Sequence, residues 1–87
     1  MLFVFPGETQ TPFWMKNTPL SLDLIFIRKN SVVDIIANAV PFSESLLFPL
    51  ASYDLVLEVI NGTAQKAGFS RGQPVTYSFD VEKLRKD

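Results

Sequence analysis

Asp23 and Glu58 are carboxylates set inside otherwise apolar runs, "LDLIFI" and "YDLVLEVI". Two carboxyl groups in a cleft are the minimum equipment for general acid and base work, as in glycoside hydrolysis, provided they stand roughly 5 to 10 Å apart. Composition excludes Cys- and His-dependent chemistries and leaves carboxylates, amines, hydroxyls and Tyr. The 87 residues contain no Cys and no His, so thiol nucleophiles, Ser-His-Asp and Cys-His arrangements, imidazole bases and Cys/His zinc or haem patterns are absent. Asp34, Glu44 and Asp54 lack the spacing of a metal loop. No metal and no cofactor are expected.

The second group able to do chemistry is the hexapeptide "FWMKNT", residues 13–18. On an extended segment Trp14, Lys16 and Thr18 share one face and Phe13, Met15 and Asn17 the other. Trp14 then offers an apolar platform, and Lys16, Asn17, Thr18 and Asp23 are the polar groups of a ligand-binding pocket. The structural alternative is that Lys16 pairs with Asp23 or Glu58 across neighbouring strands while Asn17-Thr18-Pro19 makes a turn.

These residues need elements to position them. "LFVF" (2–5) reads as a strand stopped by Pro6-Gly7, and Phe13–Lys16 as a further extended stretch. From Leu20 to Ile27 the residues alternate and both faces turn apolar toward the end, the signature of a central strand with Asp23 where polar gives way to buried. "RKNS" (28–31) is a turn and "VVDIIANAV" (32–40) the returning arm of a hairpin. Residues 41–52 carry two prolines and no period, which predicts a long loop over a sheet edge. "YDLVLEVI" (53–60) is a clear strand. Asn61 or Thr63 caps a short helix over Ala64–Ala67, with Gly68 as its left-handed end, and "PVTYSFD" (74–80) alternates as a last strand before a charged tail, 80–87. The whole is a single domain, 1–87: mainly β, a small barrel or strongly curved antiparallel sheet of five to six short strands with one short helix.

"MLFVF", "FWMKNT", "LDLIFI", "YDLVLEV" and "GFSRGQPV" together resemble the DUF192 (UPF0127) family of small bacterial and archaeal proteins, from Met1 to about Phe79. The resemblance implies a mainly β fold and export. It also implies a chain that lacks the family's N-terminal segment, because relatives carry further residues before the "MLFVF" strand. Two positions depart from the pattern: Val40-Pro41-Phe42-Ser43 stands where many members have a Cys-Pro type of motif, and Gln73 where an Asp is common.

The net charge of −1, from eight basic and nine acidic residues spread along the chain, gives no stripe for nucleic acid. No apolar run approaches the roughly 18 residues of a membrane helix. "MLFVFPGE" lacks the basic start and apolar length of a signal peptide. A domain this short buries only about 60 to 65% of its unfolded surface, and unpaired strand edges recruit partners, so a homodimer through such edges is expected. The functional expectation is a non-catalytic module binding a small molecule or a protein around Trp14, Lys16, Asn17, Thr18 and Asp23. Alternatives are a carboxylate-dependent hydrolase using Asp23 and Glu58, and an interaction protein that presents its sheet edge and loop 41–52, where Phe42 and Phe48 suit a partner if exposed.

Overall fold

In the computed structural model, which describes residues 1–75, the alternation that begins near Leu20 becomes strand β2, Leu22–Arg28, with a buried face on each side. Ile25 and Ile27 enter one apolar cluster while Leu24 and Phe26 enter another. A strand buried on both faces must sit inside a sheet, and the strand order β1-β4-β2-β3 puts it there.

Its antiparallel neighbours are β3, Ser31–Ala39, and β4, Tyr53–Ile60. The β2–β3 hairpin closes through Lys29 and Asn30, both left-handed (φ 49° and 64°), as a two-residue turn of the twist-matched kind requires. β1, Leu2–Thr9, pairs antiparallel with β4 and runs through Pro6-Gly7 instead of stopping there. The register slips between Val4 and Thr9, and that irregularity lets an edge strand accommodate a residue with no N–H.

Helix α1, Thr63–Ala67, lies against the Ile25 face. Gly68 ends it at φ 77°, its N–H donating to Gln65 O while Phe69 N–H donates to Ala64 O, the paired pattern of a left-handed helix stop. Phe69 and Val75 complete that cluster. On the other face Phe26 and Tyr53 meet edge-to-face, ring centres 4.9 Å apart, and Phe5 and Phe13 close around them at 5.4 Å from Tyr53 and 5.8 Å from Phe26. Offset and edge contacts of this kind add about 0.5 to 1.5 kcal/mol per pair beyond area burial.

Among the described residues the fold is thus mainly β, four antiparallel strands in an unclosed sheet with one short helix. Of the two expected forms, a small barrel or a strongly curved sheet, no closed barrel forms among the described residues, and the expected extended stretch Phe13–Lys16 is reduced to one isolated bridge between Phe13 and Leu47, with a second between Ser31 and Pro74. Prolines explain this, since Pro12 and Pro19 bracket the first segment and Pro41 and Pro49 the second, and each removes a ladder donor. From Thr76 onward the expected last strand and the charged tail lie outside the described residues.

Candidate functional site

Asp23 stands opposite Val59 on β4, while Leu24 stands opposite Glu58. Directly opposed residues share a face and successive ones alternate, so the Asp23 and Glu58 side chains project from opposite faces of the sheet. Asp23 and Glu58 are therefore not brought together as an acid/base pair.

Asp23 is 1% exposed and its oxygens are fully engaged. Oδ1 accepts the Asn38 N–H at 3.0 Å, and Oδ2 accepts the N–H groups of Gly62 at 2.9 Å and Ala64 at 3.1 Å. Gly62 and Ala64 open α1, whose first N–H groups have no partner within the helix, so Asp23 caps it from a strand 39 residues earlier. Neither Asn61 nor Thr63 supplies that cap. The same carboxylate fixes Asn38, which bends the end of β3 at φ 57°.

Lys16 forms no pair with Asp23 or Glu58. It is exposed, and its Nζ lies 5.1 Å from the centre of the Trp14 ring, close enough for a cation–π contact worth about 0.5 to 1 kcal/mol at a surface. Phe13 and Leu47 exchange backbone hydrogen bonds and both pack under the sheet against Phe26 and Tyr53. Met15 N–H donates to Ser43 O at 3.1 Å, Phe42 N–H to Thr18 O at 3.0 Å, and the Met15 side chain is buried. "FWMKNT" and the start of loop 41–52 are therefore stitched into one ribbon over the Tyr53 face.

With Phe13, Met15 and Leu47 turned inward, their neighbours turn outward. Trp14 is 50% exposed, Leu46 52%, Phe42 61% and Phe48 63%. Asn17 is exposed and Thr18 half-buried in the turn that follows. Trp14, Lys16, Asn17 and Thr18 are thus brought together on this ribbon and Asp23 is not, because the sheet separates them. The loop's far end is tied down by Asp34, buried on β3, whose Oδ2 accepts the Leu50 N–H at 2.8 Å. Asp34 resembles Asp23 in this role, and its position in an apolar run, "VVDII", was the signal that could have marked both as backbone anchors.

Glu58 borders an open depression of about 500 Å³ at the end of the sheet, lined also by Met1, Leu22, Val59, Ile60 and Thr63. None of these belongs to "FWMKNT". Burial pushes the Glu58 carboxyl above its ordinary value of 4.5, and the Met1 ammonium draws it part of the way back. The folded protein then holds this proton to higher pH than the unfolded chain, so the group's contribution favours folding below pH 4.5 and fades as pH rises through the folded value. Glu58→Gln is accordingly expected to match the wild type in urea midpoint below pH 4.5 and to equal or exceed it at pH 7. A lower midpoint at pH 7 would show that the carboxylate makes a stabilising contact.

The DUF192 family model, described as "Uncharacterized ACR", matches residues 1–77. Among solved structures the chain is similar to one from Sinorhizobium meliloti described as a "putative transcription regulator", with 39% identity and a TM-score of 0.80 over 85% of this chain and 58% of that one. It is also similar to a protein of unknown function from Novosphingobium aromaticivorans, with 36% identity and a TM-score of 0.82 over 88% of this chain and 56% of that one. The chain thus spans less than two thirds of the length of either. No curated protein matches it.

Proposed function

The chain belongs to the DUF192 family, and we propose that it is a non-catalytic module that binds a protein partner through the outward face of the ribbon made by residues 13–18 and 42–48. The observation that carries this reading is the exposure of Trp14, Phe42, Leu46 and Phe48 on two segments hydrogen-bonded to each other and anchored to the core. Contiguous exposed apolar surface rimmed by polar groups is characteristic of interaction sites, and aromatic rings held on rigid backbone are the usual energetic centres of interfaces. Lys16, Asn17 and Thr18 supply the polar rim. An open face of this kind suits a polypeptide better than a small molecule, which needs enclosure. The absence of a basic stripe in this sequence speaks against nucleic acid as the partner.

A photo-crosslinking residue placed at position 14 or 48 is expected to give a discrete adduct in the producing cell, whereas the same residue at Gln65, exposed on α1 across the sheet, gives none. Equal labelling at 14, 48 and 65, or no adduct at 14 and 48, would overturn the reading.

A further inference from the structure

Resting on that reading, we infer that the partner is a second copy of this chain, packed face to face through the ribbon about a two-fold axis. Charge complementarity carries the inference. Within the ribbon the ionisable groups are Lys16 and Glu44, both exposed, opposite in sign, and each following a residue of the Met15–Ser43 hydrogen bond. Among the described residues neither is ion-paired within its own chain. A two-fold contact matches every contact of residue i on residue j with one of j on i; in the proposed packing Lys16 of each copy faces Glu44 of the other, and the charges of the interface cancel pairwise.

Area points the same way. The exposed parts of Trp14, Phe42 and Phe48 offer roughly 260 to 435 Å², a third to a half of the ~800 Å² that each partner contributes to a standard interface, before Leu46 is added. The alternative route to a dimer, pairing through strand edges, is obstructed at both ends of the sheet. β1 carries Pro6, which has no N–H to donate. The start of β3 is already bonded, with Val32 N–H donating to Gln73 O and Gly72 N–H to Val32 O.

The test is sedimentation equilibrium of the full chain and its charge reversals. The wild type is expected to dimerise, and Lys16→Glu and Glu44→Lys are each expected to weaken self-association by at least about tenfold, because each sets like charges across the axis twice. An equimolar mixture of the two variants should recover wild-type affinity, since the mixed dimer faces unlike charges again. That recovery also shows both variants to be folded. A wild type that stays monomeric, single reversals without effect, or a mixture that does not re-associate would overturn the inference. The crosslinking at positions 14 and 48 separates the two claims: an adduct of twice the chain mass supports self-pairing, an adduct with another polypeptide overturns self-pairing and retains the binding face, and no adduct overturns both.

Discussion

Replacing Asp23 with Ala is expected to destabilise the domain by about 3 to 5 kcal/mol, measured as the loss of unfolding free energy in urea. The carboxylate accepts three backbone N–H groups, from Asn38, Gly62 and Ala64, at a position 1% exposed. Hydrogen bonds to a charged acceptor contribute about 1.5 to 3 kcal/mol each, and a buried donor left without a partner costs about 1 to 3. Water reaching the gap recovers part of this, so the sum is smaller than the three terms taken separately. A domain of this size has a total stability of roughly 4 to 13 kcal/mol, so the loss removes between about a quarter and all of it, and the variant's urea midpoint falls steeply. Asp23→Asn is the more discriminating change: its amide can keep one acceptor but turns an N–H₂ toward donors at the other, so it should retain only a minority of the lost stability. If Asp23 were instead a ligand-binding residue, both variants would fold with the wild-type urea midpoint.

Asp23 also shows where sequence stops being informative. Strands β2, β3 and β4 were legible because their side chains alternate against two buried faces, and β4 begins and ends at Tyr53 and Ile60 as the pattern predicted. The helix was legible from Ala64 to Gly68 because its stop is local: a glycine at the left-handed position. Its start was not, because the acceptor for Gly62 and Ala64 arrives from β2, and a contact made through the tertiary fold leaves no spacing rule in the chain. Pro6-Gly7 misled for a related reason. A proline ends a central strand but is tolerated on an edge at a register slip, and which strand is the edge depends on the order β1-β4-β2-β3. The expected nearness of Trp14 and Lys16 holds, with Nζ 5.1 Å from the ring, but a turn at Lys16–Asn17 closed by Thr18 N–H to Met15 O ends the alternation, leaving Asn17 exposed and Thr18 half-buried. The alternative pairing of Lys16 with Asp23 or Glu58 depended on tertiary placement: the sheet lies between Lys16 and Asp23, and Glu58 borders the depression lined by Met1, Leu22 and Ile60.

Phe13→Ala should separate the two jobs of the "FWMKNT" segment. The Phe13 ring packs 5.8 Å from both Phe3 and Phe26 and 6.1 Å from Tyr53, and its backbone forms both hydrogen bonds to Leu47. Truncating a large aromatic in such a cluster costs about 3 to 5 kcal/mol when it is fully enclosed. Phe13 is half-buried, which lowers the expected loss to about 2 to 3 kcal/mol. Trp14, its neighbour, points outward and is 50% exposed, so Trp14→Ala is expected to shift stability by no more than about 0.5 kcal/mol while abolishing the crosslink and weakening self-association. The pair of variants therefore dissociates anchoring from binding on adjacent residues. Because the chain has one Trp, its fluorescence reports the ribbon directly, and in Phe13→Ala the anisotropy of Trp14 should fall before the domain unfolds, as the segment loses its hold on the Tyr53 face. Equal destabilisation by the two substitutions would mean that Trp14 is packed inward, and with it the ribbon would lose the apolar face on which both the binding reading and the two-fold pairing depend.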